Sequence, residues 1–364
     1  MGKRELLIIA GFVAIGALVY QFTAPPSTGT SSFSFANIFN EARREMRGNP
    51  GRANVTHTAT IPLEAGHREL RILRVSQSVT VVGENRNDIE YALTVSSDGP
   101  DDETAKAYAD KTVFERDDVA ESLVLRVSYP DEASQQSTLV VKVPARLAVR
   151  VENAVGVTMT GVATAHIESA SGEVTLTDIA GAVTGTHQDG DVTVTNAGSV
   201  KLRLVRLQSK FENVTAGLTL DVRDGECTIL TSAGAVEVDS QRAEITVTGH
   251  RGPTIVRGTD GRVTLNSPAA ESKVDMRRAE VEVTLTGNAP VTILTTDQTA
   301  RVIIKDTASV ELDAMSTGGK IQAADVNLTP DTVGENTKLV HTFGTGRAAR
   351  VTIRNTRGEI VVRR

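Results

Sequence analysis

Aromatic residues and cysteine are scarce in this chain, and each scarcity argues against a class of protein. Only 3% of the 364 residues are aromatic, and tryptophan is absent. Sugar-binding clefts and single-stranded nucleic-acid grooves commonly rely on aromatic stacking, so the composition disfavours both. The one cysteine, Cys227, allows no intramolecular disulfide and no cysteine-based metal cluster.

The chain also lacks an excess of positive charge. It carries 39 Lys and Arg against 45 Asp and Glu, a formal net charge of −6. A general nucleic-acid binder needs a basic surface to neutralise phosphates, so we expect no nucleic-acid partner. With 40% apolar and 23% charged residues, the composition is that of a globular protein.

A long hydrophobic run occurs at the N-terminus. The uncharged residues 6–22 follow Lys3 and Arg4, and as a helix they would extend about 25 Å, close to the short end of the membrane-spanning range. We predict that residues 1–23 form a cytoplasmic stub and a transmembrane signal-anchor. A cleaved signal peptide is the alternative, although proline follows the candidate cleavage point at Ala24.

The basic residues before this segment also set its expected orientation. By the positive-inside rule, the N-terminus lies in the cytoplasm and the rest of the chain outside it, as in a single-pass protein of a bacterial cytoplasmic membrane. Residues 24–52 are predicted to be a Pro/Ser/Thr-rich linker with a short juxtamembrane helix. Its arginines either contact anionic lipid headgroups or face solvent: Arg43, Arg44 and Arg47.

From residue 53 onward, stretches of alternating polar and apolar residues predict an all-β protein. We expect an N-terminal β cap section over 53–143, interrupted by a short helix within "DDETAKAYADKTVFERDD". A β-solenoid is predicted for residues 144–364.

The solenoid prediction depends on glycines that return about every nine residues, most with an apolar residue two positions later. Each unit reads as a short strand and a turn, and two units make a coil of roughly 18 residues. Stacked coils bury one continuous apolar column. We expect these glycines to turn the chain at the corners: Gly172, Gly181, Gly190, Gly198, Gly217, Gly225, Gly234, Gly252 and Gly261.

Several segments resemble a known family. The entry "VKVPARLAVRVENAVGVTMTGV", the units "SGEVTLTDIAGAVTG" and "DGDVTVTNAGSV", and the closing "RVTIRNTRGEIVV" are similar to the bacterial putative-adhesin family. The resemblance covers roughly residues 55–364. It implies a β-solenoid domain of unknown function in a cell-envelope protein, often behind a membrane anchor, and it carries no catalytic residues to transfer.

Six carboxylates beside the corner glycines are the candidates for chemistry. Parallel β-helix enzymes that cut acidic polysaccharides place carboxylates together on adjacent coils. Solvated turn residues are the simpler interpretation, because aspartate and glutamate are common next to such turns. The six are Glu173, Asp189, Asp191, Asp224, Glu226 and Asp260.

The remaining reactive side chains point to structural roles. The histidines have no i, i+4 pair of the helical zinc-site type, and Cys227 occupies a position where other units have valine, so we expect a buried small hydrophobe. Arginines near the C-terminus are interpreted as protection of a last strand, with an acidic polymer as the alternative ligand. The histidines are His57, His67, His166, His187, His250 and His341; the arginines are Arg347, Arg350, Arg354, Arg357, Arg363 and Arg364.

The sequence therefore predicts a non-enzymatic, adhesin-like β-solenoid for binding or scaffolding at the cell envelope. It contains no phosphate loop, calcium-binding nonapeptide or nucleophile elbow, so no catalytic, metal or cofactor-binding residue is assigned and no cofactor is expected. Expected partners are the membrane, through the N-terminal helix, and a cell-wall component, polysaccharide or envelope protein. A bactofilin-like cytoskeletal polymer is the alternative, and a polysaccharide-cleaving enzyme is the third class.

Overall fold

The computed structural model describes residues 51–64, 66–130, 135–169 and 171–364. The predicted anchor (1–23) and the linker helix lie outside these ranges. Within them, no helix is both long and apolar enough to cross a bilayer. The described residues belong to one compact unit.

Strands dominate the described chain. The N-terminal elements are β1 (Gly51–Pro62), β2 (Glu69–Leu73), β3 (Ser78–Glu84), β4 (Asp88–Gly99), α1 (Asp102–Lys111), β5 (Val113–Val119), β6 (Ser122–Ser128), β7 (Gln135–Pro144), β8 (Ala148–Glu152), β9 (Gly156–Thr160) and β10 (Thr164–Ser169). The central elements are β11 (Gly172–Arg223), β12 (Glu226–Leu230), β13 (Ala235–Thr248), β14 (Thr254–Asn266) and β15 (Ser272–Leu285). The C-terminal elements are β16 (Val291–Thr296), β17 (Ala300–Ile304), β18 (Val310–Thr317), β19 (Ile321–Gln322), a 3₁₀ helix (Ala324–Val326), β20 (Asp331–Val333), β21 (Asn336–Phe343), β22 (Ala349–Thr356) and β23 (Ile360–Arg363).

The strands pair into two stacks. Stack A runs in space through β5, β6, β2, β8, β10, part of β11, the first halves of β13, β14 and β15, then β16, β22, β18, β21 and β20. Stack B runs through β1, β4, β7, β3, β9, other parts of β11, β12, the second halves of β13, β14 and β15, then β17, β23 and β19. The fold is all-β and solenoid-like, as predicted.

The central coils keep the predicted period. Val236 pairs with Thr254 in stack A, and Ile245 pairs with Val263 in stack B, so each partner lies 18 residues further along the chain. The same offset joins β14 to β15, where Val263 pairs with Val281. Two short strands, one in each stack, therefore complete a coil.

One hydrophobic core runs between the stacks. Alternate residues of each strand point inward, as in β14, where Val256, Val263 and Leu265 are buried. Helix α1 covers the core at the N-terminal end with Ala105 and Ala109, both fully buried. The helix begins where the Asp101 side chain accepts a hydrogen bond from the Thr104 N–H at 2.7 Å.

At both ends, the order of the coils departs from the order of the chain. Strands β2 and β3, from the segment predicted as a cap, pair in parallel with strands on both sides. At the other end, β22 lies between β16 and β18, and β23 lies between β17 and β19. The boundary at residue 143 stays a prediction, although the parallel pairing runs across it.

The arginine-bearing C-terminal strand is therefore not a last strand. Because β22 has a neighbour on each side, Arg350 and Arg354 protect no open edge, and that interpretation was wrong. The chain end is an internal coil; beyond it, antiparallel strands close stack A, and the two-residue parallel strand β19 ends stack B.

The corner geometry also corrects the role given to the glycines. Positive φ angles at most corners belong to aspartate, asparagine and arginine. The glycines instead allow close approach to the neighbouring coil: a Cβ on Gly234 would lie 2.0 Å from the Ala216 carbonyl oxygen, and one on Gly225 would lie 2.1 Å from that of Leu207. A few glycines, such as Gly172 with φ 98°, combine a positive φ with close approach to the neighbouring coil.

We predict that Gly234→Ala lowers the free energy of unfolding by about 2–4 kcal/mol, because the new methyl group forces two coils apart. Denaturant unfolding of the variant would measure the loss. Gly287→Ala is the matched control, since a Cβ there would meet nothing within 4 Å, and its effect should stay within about 0.5 kcal/mol. Equal effects of the two substitutions would contradict the coil-contact role.

Candidate functional site

The stacked coils form a rod with a line of corners along each edge. The corners at the ends of the stack A strands carry a row of alternating charges, here called the ion ladder. Its members occupy successive coils, and all have φ between 49° and 66° although none is glycine. Aspartate tolerates this left-handed conformation better than arginine does. The ladder consists of Asp189, Arg206, Asp224, Arg242, Asp260, Arg278, Asp297 and Arg357.

The ion ladder is built from four two-pronged pairs. Arg206 donates from Nε and Nη2 to the two carboxylate oxygens of Asp189, each at 2.7 Å. The same geometry joins Arg242 to Asp224, Arg278 to Asp260, and Arg357 to Asp297. Planar guanidinium groups match carboxylates in this bidentate manner.

An arginine of one pair also lowers the pKa of the aspartate in the next pair. The hydrogen bond from Arg242 lowers the pKa of Asp224, and the charge of Arg206 on the coil before lowers it further. Asp260 is held in the same way by Arg278 and then by Arg242. The ladder therefore keeps its carboxylates ionised, which is opposite to the requirement for a general acid.

A second row of corners, at the ends of the stack B strands, carries a ladder of side-chain hydrogen bonds without arginine. Asn196 donates from Nδ2 to Asp178 at 2.8 Å, and Asn213 donates to the Asn196 side-chain oxygen at 3.1 Å. Thr231 then donates to Asn213 at 3.0 Å. These four residues also have positive φ angles, so both edges link coils through the side chains that make the corners.

The outer surface of stack B, here called the threonine face, bears two parallel rows. One row contains threonines: Thr158, which is exposed, and Thr175, Thr193, Thr228, Thr246 and Thr264, which are half-exposed. Register places Thr158 beside Thr175, and Thr228 beside Thr246 and then Thr264. The next row contains exposed carboxylates: Glu173, Asp191, Glu226 and Glu244.

A shallow groove of about 360 Å³ lies across this face. Three of its lining side chains are carboxylates, Glu173, Asp191 and Glu226, and Thr193, Gln208, Lys210 and Thr228 line the rest. Lys210 is paired with Glu212 at 3.0 Å. The groove is polar and open, and suits a ligand with several hydroxyl or amide groups.

The structure separates the six predicted carboxylates into two sets. Asp189, Asp224 and Asp260 belong to the ion ladder. Glu173, Asp191 and Glu226 lie on the threonine face, each directly after one of the predicted corner glycines. The first set occupies corner positions with positive φ, and the second set projects from the first residues of the stack B strands. Period 18 was visible in the sequence, but it did not show which residue of each unit points outward.

Stack A presents a different outer surface, where charges are largely paired. Arg150 bonds Glu168 at 2.9 Å, and Arg257 bonds Glu237 at 2.7 Å. A second groove, of about 350 Å³, crosses this surface near Thr184, Gly185 and Thr219. Small side chains on one coil create that depression between the longer side chains of its neighbours.

The histidines do not come together. His166 lies on the stack A surface with Glu168, whereas His187 and His250 are buried, each 2% exposed. His187 donates from Nε2 to the Gly172 carbonyl at 3.0 Å, and its Nδ1 has no partner among the described residues. No group of three or more His, Cys, Asp or Glu side chains in the described ranges could hold a metal ion.

Cys227 is a buried hydrophobe, as predicted. It is 1% exposed and pairs in register with Ser209 and Ile245. Burial raises the pKa of the thiol to about 12, so the thiolate needed for reaction is not formed at neutral pH.

Most of the C-terminal arginines have carboxylate partners. Arg354 bonds Asp313 at 2.8 Å, and Arg350 approaches the same carboxylate at 3.5 Å. Arg363 pairs with Asp325 at 3.3 Å, and Arg364 pairs with Asp306 at 2.8 Å. Together with Arg357 in the ion ladder, these contacts stabilise the final coils and leave little free positive charge for an acidic polymer.

These features define a solenoid-like, all-β protein with one charge-paired surface and one threonine-rich surface. The family model described as Toastrack DUF4097 matches residues 67–363. The chain belongs to this family, in agreement with the resemblance to the putative-adhesin family.

Three solved structures are similar to the chain at low identity. One is a putative cell adhesion protein from Clostridium sporogenes ATCC 15579, with 10% identity, a TM-score of 0.19, and coverage of 86% of this chain and 99% of that one. A putative adhesin from Bacteroides fragilis NCTC 9343 has 9% identity, a TM-score of 0.21, and coverage of 85% and 97%. A putative adhesin from Parabacteroides distasonis ATCC 8503 has 11% identity, a TM-score of 0.24, and the same coverage. A comparison with curated proteins gives no significant match.

We predict that stability falls with acidification, first through the buried histidines. Burial lowers the pKa of both His187 and His250 below the ordinary value of 6.5, against the opposing effect of carbonyl groups and, at His187, of Asp189 and Asp191. As the pH falls below 6.5, the unfolded chain takes up protons before the folded chain does, so the unfolded state is favoured. The ion-ladder aspartates, whose pKa values are also lowered, should add a second loss below about pH 4.

Unfolding free energies at about pH 7.5 and about pH 5.5 would measure the first step. The double variant His187→Gln, His250→Gln keeps a side-chain N–H donor and should show a smaller difference between the two conditions. If the variant and the native chain lose the same unfolding free energy between the two pH values, the buried histidines are not the source of the loss.

The cysteine gives a separate prediction. A thiol reagent should label native Cys227 only as fast as the chain unfolds, because the thiol is buried and protonated. Cys227→Val should fold with nearly unchanged stability, since valine fills the equivalent position in other coils. Rapid labelling of the folded chain would contradict this account.

Proposed function

We propose that this protein is a non-enzymatic, adhesin-like binding or scaffolding protein of the cell envelope, held by an N-terminal membrane anchor with its solenoid outside the cytoplasm. Membership of the Toastrack DUF4097 family supports the adhesin-like class. The proposal depends chiefly on the threonine face, where matching hydroxyl and carboxylate groups recur from coil to coil.

The spacing of this face suits an extended ligand. Adjacent strands lie about 4.8 Å apart, so the rows offer similar hydrogen-bonding groups at short intervals along the rod. A glycan or an extended polypeptide has donors and acceptors along its length and can make several weak bonds at once. We therefore propose a cell-wall component, a polysaccharide or another envelope protein as the partner.

The state of the carboxylates supports binding rather than catalysis. A glycoside hydrolase needs one carboxyl group with a raised pKa. The ion ladder does the opposite, since arginine lowers the pKa of Asp189, Asp224 and Asp260. The groove residues Glu173, Asp191 and Glu226 lie on an open face and not in an apolar pocket.

The ends of the rod argue against a bactofilin-like polymer. A polymer that grew by continuing the coils would need a parallel strand at each end to receive the next molecule. Here the outermost pairs are antiparallel at the N-terminal end of both stacks and at the C-terminal end of stack A. Stack B ends in the two-residue strand β19, which is too short to continue the stack.

Topology is the first test. A reporter that is active only outside the cytoplasm, fused after Arg364 in the full-length chain, should be active in bacterial cells. The matched control is a reporter active only in the cytoplasm, fused at the same position, which should be inactive. An intact fusion with the opposite pattern would overturn the proposed location.

Binding through the threonine face is the second test. Thr193→Val with Thr228→Val removes two groove hydroxyls and keeps β-branched side chains. Loss of two hydrogen bonds should weaken cosedimentation with purified cell-wall material about fivefold or more. Thr184→Val with Thr219→Val on the stack A surface is the control and should bind like the native protein. Equal binding by both variants would exclude the threonine face.

A further inference from the structure

Three of the four stack ends have features that discourage pairing with another chain. The N-terminal end of stack A is β5, whose seven residues include Glu115, Arg116, Asp117 and Asp118. At the C-terminal end, β20 has three residues and β19 has two. Charge and short length are both devices that prevent edge-to-edge association.

The fourth end, strand β1 in stack B, has neither device. It pairs with β4 in a continuous antiparallel register over 12 residues, from Gly51 opposite Gly99 to Pro62 opposite Asp88, with no bulge. Between Ala53 and Ile61 it contains no proline and no Lys, Arg, Asp or Glu. Strand β21 also has an open edge where β20 does not pair with it, but this edge covers only residues 339–343 and is much shorter than that of β1.

The backbone of β1 leaves a regular set of groups directed away from β4. The Arg52 N–H donates to the Asp102 carboxylate at 3.1 Å, so at this position the N–H points outward. Because a strand alternates, the N–H and C=O groups of Asn54, Thr56, Thr58 and Thr60 also point outward. No hydrogen bond joins these groups to another described residue.

We infer that β1 is a dimerisation edge, and that its partner is β1 of a second copy of this chain in antiparallel pairing. Strand addition at such an edge gains main-chain hydrogen bonds without needing a pocket. The choice of a second copy rests on the sequence of the edge: Thr56-His57-Thr58 reads the same in both directions, and the positions on either side of it are small apolar and then polar in both directions.

Pairing centred on His57 satisfies every outward group between residues 54 and 60. Thr56 then lies opposite Thr58 of the second copy, and Asn54 lies opposite its Thr60. On the face toward α1, Val55 lies opposite Ala59. The two His57 residues lie opposite each other at the symmetry axis, each with its Nε2 3.2 Å from the Ala109 carbonyl oxygen of its own α1. No like charges of lysine, arginine or carboxylates oppose one another, and β-branched pairs such as Thr–Thr favour antiparallel sheets.

The assembly would be closed. A two-fold axis through the centre of β1 uses the same edge on both molecules, so the edge is consumed once the dimer forms. The other ends of each rod are β5, β20 and β19, which are charged or short. The inference therefore gives a dimer rather than a filament, and it does not require the proposed ligand of the threonine face.

Cysteine cross-linking tests the register. In the full-length Cys227→Val chain, His57→Cys places two cysteines opposite each other at the axis, and oxidation should give a covalent dimer. Val55→Cys is the matched control, because Val55 and its copy would lie about 14 Å apart, beyond the reach of a disulfide. We expect at least about tenfold more dimer from the first variant than from the second.

Proline substitutions test the edge itself. Thr58→Pro removes an outward N–H and leaves the β1–β4 ladder intact, so the chain should fold as a monomer and His57→Cys should no longer cross-link. Ala59→Pro removes an inward N–H and should lower stability instead. Light-scattering masses in detergent would report the dimer and its loss.

Any of three results would overturn the inference. One is folded His57→Cys protein that cross-links no more than Val55→Cys. The second is cross-linking that persists unchanged in the Thr58→Pro background, because the contact would then not use the β1 backbone. The third is a native chain whose light-scattering mass is that of a monomer, which would leave the edge to another occupant, such as a segment of residues 1–50.

Discussion

Adjacent strands of a β-sheet lie about 4.8 Å apart, and this spacing constrains each coil of the rod. Two coils can stack at that distance only if their corners superimpose and nothing projects between them. Gly225 and Gly234 meet the second requirement, because even a methyl group would collide with the carbonyl of the coil below. Residues with positive φ meet the first requirement, and Asp224 and Arg242 use the resulting alignment to form a bidentate pair. The ladders along both edges are thus a consequence of the coil spacing.

The same constraint determines how the rod ends. A parallel stack has no natural last strand, since each coil exposes the groups that the next coil would bind. This chain inserts β22 and β23 between earlier coils and then closes stack A with the antiparallel strands β21 and β20. At the other end, α1 covers the core and antiparallel β4 and β1 extend stack B. Three of the four stack ends terminate by a change of strand direction, and the fourth ends in the two-residue parallel strand β19. Among the described strands, only β1 keeps a long open edge.

The sequence predicted the repeating part of the fold because the repeat appears in the order of residues. Glycine and valine at fixed offsets revealed the period of 18, the all-β class and the buried position of Cys227. The insertion of β22 was not predictable in this way, because its alternating pattern is the same whether a strand is terminal or internal. Arginine at a left-handed corner was missed for a different reason. Arg206 and Arg242 adopt a conformation that local preference disfavours, and their aspartate partners lie about one coil away along the chain.

The candidate site consists of polar side chains that the ladders do not pair. Along one edge, arginine neutralises Asp189, Asp224 and Asp260, and on stack A the charges are largely paired between neighbouring coils. On the threonine face, the carboxylates of Asp191 and Glu226 lie beside hydroxyl groups in an open groove. Groups that are already paired add rigidity to the rod, whereas hydroxyls and carboxylates held at fixed spacing on a rigid surface need little reorganisation to bind. The regularity that stabilises the fold therefore also orders the surface on which recognition would occur.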